Sequence, residues 1–245
     1  MYEDHFSRKI KWITMAEAVF SRLILLGLIT MSAFVIYAAY DMHRITANGK
    51  SGTEFHDFEE LIARNPDTVA WIKLDSTSID HPVVQGKDNY TYLDVDFDGN
   101  DYAGGCIFLD ASSSSDLSDE YSVIHGHHMA GGAMFGDLEK FLDQEFLDEN
   151  NTGELLTPGD IYDLTIAGAG IFDAYDGEIY SAGPSRNIPL ELIDKCSTKN
   201  MIHFSNQDKM IALSTCSGEM NNNRILVICI AHRRGTNEMQ QGHDK

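Results

Sequence analysis

The run Leu23–Tyr40, LILLGLITMSAFVIYAAY, constrains this chain most, because none of its eighteen residues carries a charge. As a helix it reaches about 27 Å at about 1.5 Å per residue, close to the thickness of a bilayer core. Ala18, Val19 and Phe20 extend it by a turn, and Arg22 can snorkel toward the headgroups. Arg8, Lys9, Lys11 and Arg22 precede or open the segment, whereas Arg44 and Lys50 alone closely follow it. That bias puts the N-terminus in the cytoplasm and everything after Asp41 outside the cell membrane. A cleaved signal peptide fits less well, since the run is long and no small-x-small site directly follows it. A buried core helix is disfavoured by the length and the basic flank. The expected organisation is a cytoplasmic tail (1–17), a single transmembrane helix that anchors the chain in the lipid bilayer (18–40) and a stalk (41–54). A globular domain (55–235) and a polar tail (236–245) follow.

Composition matters once the anchor is set apart. The whole chain has 38 acidic and 18 basic side chains, a formal net charge of −20. Residues 1–50 hold six of the basic and four of the acidic groups, which leaves 12 and 34 outside, a net −22. An exported domain this acidic is not a nucleic-acid binder, which needs a basic stripe to neutralise phosphates. At 43% hydrophobic and 10% aromatic the chain has ample material for a core. Four cysteines are too few for a disulfide-built scaffold.

Phe55–Arg64 has helical spacing, with Phe55, Phe58, Leu61 and Ile62 on one face, and Asn65-Pro66-Asp67 ends it. Short alternating or β-branched runs follow: 69–74, 79–84, 105–109, 121–124, 162–172, 210–215 and 225–231. Seven or eight short strands between Gly, Asn and Asp turns predict a mainly β domain, a closed antiparallel-type barrel or a sandwich. Helical insertions are expected at Gly136–Leu147 and Pro189–Lys195.

No phosphate-binding Gly-Lys-Ser/Thr loop occurs, so no nucleotide cofactor is expected. His125, His127 and His128 lack carboxylates or cysteines at a recurring ligand spacing, and no metal is expected. The acidic run Asp94–Asp101 lacks the Glu of a calcium loop and reads as a solvated turn. Among the cysteines, Cys229 lies inside an apolar run and Cys106 in a strand-like Gly-Cys-Ile-Phe-Leu, both packing positions. Cys216 ends the apolar run 210–213 after Ser214-Thr215 and precedes Ser217-Gly218. A thiol at the open end of a strand can be reached by a substrate. It needs a histidine to share its proton and a donor for a developing oxyanion. His127, after a strand and Gly126, and Arg224, opening the strand after Cys216, are the candidates.

At these residues the sequence resembles the sortases, specifically class B. The Thr-Cys signature stands as Leu213-Ser214-Thr215-Cys216, followed by Asn223-Arg224-Ile225-Leu226-Val227. The histidine signature stands as Val123-Ile124-His125-Gly126-His127-His128-Met129 with Met134-Phe135. Upstream, His81–Asn89 with Tyr92-Leu93, then Gly105–Asp110, match in order and spacing, and the likeness runs from about Phe55 to Ala231. Position 125 is usually Tyr in class B, and the Cys216-to-Arg224 stretch is a residue or two shorter than usual.

The resemblance implies a sortase-type closed β-barrel of seven to eight strands with helical insertions, acting without a cofactor. It implies a cysteine transpeptidase, of the Gram-positive cell-wall kind, that cleaves a C-terminal sorting motif after Thr through a thioacyl-enzyme, with hydrolysis as a side reaction. Cys216 would be the nucleophile, His127 the general acid and base, and Arg224 the oxyanion and substrate stabiliser. Asn89, Leu93, Leu213, Ser214 and Thr215 would bind substrate, with Ala174–Lys199 as one wall of the groove. The expected partners are surface proteins bearing a sorting motif, and an acceptor amine from peptidoglycan or, alternatively, a pilin lysine. A non-catalytic membrane-tethered binding module on the same barrel is the rival from another class.

Overall fold

The computed structural model describes residues 20–37, 58–184, 187–205, 207–216 (Cys216 by its strand position) and 222–234. The chain divides into two units, 1–48 and 49–245. In the first, α1 (Phe20–Tyr37) is one apolar helix of 18 residues, long enough to cross a membrane, with exposed side chains. The expected tail 1–17, stalk 41–54 and polar tail 236–245 lie outside the described residues, as do the two ends of the expected span and Phe55.

The second unit opens with α2 (Phe58–Arg64). Nine strands follow: β1 (Thr68–Leu74), β2 (Asp80–Val84), β3 (Ile107–Leu109), β4 (Tyr121–His125), β5 (Thr152–Leu156), β6 (Ile161–Asp173), β7 (Thr198–Lys199), β8 (Lys209–Cys216) and β9 (Asn223–Arg233). Their order is β5-β1-β2-β3-β4-β8-β9-β6-β7, and β5 also pairs with β6. Eight strands therefore close on themselves, and β7 is a short flap on β6. Closure leaves the barrel no free edge.

The closed barrel is the expected one, and the pairing refines its antiparallel-type reading, because β2–β3 and β4–β8 are parallel. Parallel neighbours need long crossovers. The chain supplies them, with Gln85–Cys106 between β2 and β3, and β5 to β7 between β4 and β8. The expected helical insertion 136–147 also divides. Residues Gly136–Leu142 form a tight 3-10 turn, and Asp143, extended at φ −93°, caps α3 (Gln144–Glu149) by accepting from the amides of Glu145 and Phe146. The insertion expected at 189–195 is the short α4 (Glu191–Lys195).

The apolar runs of β8 and β9 are continuous rather than alternating because both faces are covered. Ile211 and Leu213 of β8, with Ile225, Val227 and Cys229 of β9 and Ile124 of β4, fill the barrel interior. Met210, Ala212, Leu226, Ile228, Tyr121 and Val123 face outward and are roofed by Ile179, Leu192 and Cys196 from the segment after β6. A third cluster, Val84, Tyr92, Cys106 and Phe108, lies under the β2–β3 crossover.

Candidate active site

The open ends of β4, β8 and β9 bring the sequence candidates together. Cys216 and Arg224 are direct cross-strand partners at the last pair of the β8–β9 ladder. Directly opposed Cα atoms in an antiparallel pair lie about 4.5–5.5 Å apart. By alternation with Leu226, Arg224 lies on the outward face of β9. Arg224 is half-buried there. The other three cysteines are no rivals as nucleophiles. Burial pushes the thiols of Cys106, Cys196 and Cys229 up to about 12, so they stay protonated.

His127 follows β4 by two residues. Its Nε2 lies 2.9 Å from the Leu93 carbonyl oxygen. A carbonyl only accepts, so Nε2 carries the proton and Nδ1 of the neutral ring is left as the basic atom. Two glycines build this contact. A Cβ on Gly126 would meet Ile107 and Phe135 at 2.7 and 2.8 Å. Gly105, at φ +56°, lies so close to the crossover that a Cβ would fall 2.4 Å from the same Leu93 oxygen. The loop back from His127 closes where the Phe135 amide donates to the His127 carbonyl at 3.0 Å. That explains the Met-Phe of the histidine signature: Phe135 is a buried prop beneath Gly126.

The remaining histidines are tied elsewhere, His128 to Glu139 at 3.0 Å and His125 to Asp110 at 3.0 Å. Asp110 also accepts from Asn89 Nδ2 at 2.8 Å and from the amide and hydroxyl of Ser112 at 2.9 and 2.6 Å. Burial raises its pKa, but the hydrogen bonds from His125 and Ser112 outweigh burial and hold it well below the usual carboxylate range.

The five residues expected to bind substrate separate. Ser214 faces outward, its hydroxyl 2.9 Å from that of Tyr180. Leu93 is half-buried against the crossover cluster and presents its carbonyl to His127. Asn89 braces the loop after β3, donating to Asp110 and accepting from the Ala111 amide at 2.8 Å. Leu213 and Thr215 alternate with Ser214 and point toward the barrel interior, Leu213 fully buried in its core, while Ser214 and Thr215 are each only 2% exposed. The Thr215 hydroxyl has no partner among the described residues.

Sequence reasoning missed Asp110 and Tyr180 as parts of the site. The available signal for Asp110 was a carboxylate closing the apolar run 105–109 just before a Ser-rich loop. Tyr180 lay inside the expected groove wall with nothing local to distinguish it.

The chain is also similar to known proteins. The Sortase domain family matches residues 72–232. Sortase B of Staphylococcus aureus is 29% identical over 178 residues, which are 71% of this chain and 73% of that protein. Among solved structures, Spy0129, a Streptococcus pyogenes class B sortase involved in pilus biogenesis, is similar at TM-score 0.66 and 31% identity, covering 72% of this chain and 98% of that one. The Staphylococcus aureus sortase B–substrate complex is similar at TM-score 0.64 and 27% identity, covering 73% and 85%.

Proposed function

The chain belongs to the sortase family, in class B, and from that premise we propose that it is a membrane-anchored transpeptidase that uses Cys216 to cut a C-terminal sorting motif after Thr and passes the acyl group to an amine. The Cys216 thiolate attacks the scissile carbonyl, forming the C–S bond. His127 protonates the departing amine through Nδ1, leaving a thioacyl-enzyme. An acceptor amine, deprotonated by His127, then attacks the thioester, and the thiolate leaves with a new amide bond in place. Water in place of the amine gives hydrolysis as a side reaction. Arg224 presents a rigid fork to the developing oxyanion in both steps.

The register pair Cys216–Arg224 supports this reading, because it sets an arginine opposite the cysteine of the Thr-Cys signature, while Cys106, Cys196 and Cys229 are buried. Of the expected substrate-binding residues, Ser214 and Leu93 are tied to Tyr180 and to His127, and Asn89 braces the neighbouring loop. The anchoring of α1 in the cell membrane, with the catalytic unit outside, rests on the apolar span and its basic N-terminal flank.

Two acceptors fit the reaction: a peptidoglycan amine and, in view of the likeness to a pilus-building sortase, a pilin lysine. Full-length protein given a sorting peptide with either a wall-type oligoglycine amine or a pilin lysine separates them by product mass. The wall reading requires transfer to oligoglycine, and exclusive transfer to the pilin lysine replaces it. The rival binding module predicts that Cys216→Ala keeps full biological activity; loss of activity excludes it. A thiol–imidazole pair further predicts a bell-shaped pH–rate profile, and a flat one from about pH 5 to 10 would remove that pairing.

A further inference from the structure

His127 accounts for proton transfer and leaves its neighbour His125 without a task, yet His125 is among the most firmly held side chains around the site. It ends β4 as the parallel register partner of Ser214, two strand positions before Cys216. Its ring is gripped from three sides. Asp110 takes Nε2 at 3.0 Å, the Phe108 ring lies 5.2 Å away tilted by 33°, and the Tyr180 ring stacks at 6.0 Å and 17°. Asp110, only 5% exposed, accepts from Asn89 Nδ2 and from the amide and hydroxyl of Ser112 as well. A carboxylate only accepts, so His125 Nε2 carries the proton, and the tautomer and ring plane are fixed together.

The same ring also meets the segment after β6. Tyr180 stacks on it and reaches the Ser214 hydroxyl at 2.9 Å. The residues around Tyr180 are seated on the same elements. The Tyr121 hydroxyl of β4 donates to the Ile179 carbonyl at 2.8 Å, and the Ala182 carbonyl lies 3.2 Å from the Ser112 hydroxyl. Gly183, at φ +117°, passes so close that a Cβ would sit 2.6 Å from the Ser112 carbonyl oxygen. His125 joins these two assemblies, the carboxylate-centred loop after β3 on one side and the Tyr180 wall on the other.

We propose that His125, oriented by Asp110, is a positioning residue that holds the Tyr180 wall against β8, so that a bound peptide meets Cys216 at a fixed depth. It rests on the reading above that Cys216 is the acyl-transfer nucleophile. His125 does not exchange protons with substrate. Its Nε2 is committed to a buried carboxylate and its ring to two aromatic neighbours, whereas the His127 ring bonds, among the described residues, to a backbone carbonyl.

The test is a double-mutant cycle in the full-length protein, with His125→Ala, Tyr180→Ala and the pair. It reads kcat and KM for a sorting-motif peptide alongside the pH profile of Cys216 alkylation by iodoacetamide. Each single substitution is expected to raise KM about three- to tenfold, the scale of one aromatic pair, with a smaller change in kcat. The double variant is expected to be no worse than the poorer single one, and the alkylation profile to stay that of wild type. His125→Phe keeps a ring for Tyr180 but loses the Asp110 bond, so it should fall between wild type and His125→Ala; it also carries the test if the alanine variant does not fold. An unchanged KM, additive effects, or a displaced alkylation profile with collapse of kcat would overturn the proposal. Wild-type protein that turns over no sorting peptide would instead remove the transpeptidase reading, and this inference with it.

Discussion

His127 owes its position to residues that contribute no side chain. A methyl group at position 126 would press on Phe135 and Ile107 at under 3 Å, and both are buried. Gly126→Ala is therefore expected to cost about 1–3 kcal/mol of stability, as overpacking does, and to lose activity beyond what partial unfolding explains. Thermal melting and turnover of the folded fraction, measured together, check this; an unaffected rate would contradict it. Arg224→Lys keeps the charge but not the fork and is expected to lower kcat/KM about 10- to 100-fold, read from peptide cleavage. Near-normal turnover would contradict the oxyanion role. Cys216, His127 and Arg224 were legible as candidates because nucleophile, base and oxyanion donor sit in short blocks of distinctive residues. Asp110 was not, because its task depends on His125 and Ser112 being folded around it.

The strand β8 shows how one element serves both stability and site. Its odd positions Ile211, Leu213 and Thr215 pack inward, and its even positions Ala212 and Ser214 face the outer layer with Tyr180. Leu213→Ala should cost about 2–5 kcal/mol through the cavity it leaves. Its KM, once corrected for the folded fraction, should stay near wild type; denaturant titration and kinetics on one sample test both halves. The apolar runs revealed seven of the strands, since covered faces demand them. They did not reveal β5, whose Thr-Gly-Glu-Leu-Leu is short and interrupted by Gly153 and Glu154, although it closes the barrel by joining β1 to β6. Strand direction was equally hidden. Side-chain alternation is the same for parallel and antiparallel neighbours, so the β2–β3 and β4–β8 pairings had no local signature.

At the scale of the whole molecule, one histidine with an enclosed ring nitrogen is expected to contribute to the domain's response to acid. His81 is half-buried as a residue, but its Nε2 is fully enclosed and has no partner among the described residues. Burial pushes its pKa down to about 4, and Asp80 only partly opposes the shift. Protonation at that site therefore favours the unfolded chain, whose histidine titrates near 6.5. Stability is expected to be full above about pH 6.5 and to decline as pH falls toward 4, by about 3 kcal/mol from this group. Asp110, held below the usual carboxylate range, adds a further loss as pH falls below about 4. Urea titrations at pH 7.5 and 4.5 on wild type and His81→Phe test the first part, and an unchanged slope in the variant would contradict it. The likeness to class B sortases and the closed barrel account for where the chemistry sits, and the central claim remains that Cys216 forms the acyl-enzyme. Intact-mass measurement of the full chain incubated with a sorting-motif peptide and no amine tests it most directly. The account predicts one acyl adduct that maps to Cys216, is absent in Cys216→Ala and is discharged as an amide on adding an amine. Peptide cleaved by an enzyme that never gains mass, or an adduct at Cys106, Cys196 or Cys229, would contradict it.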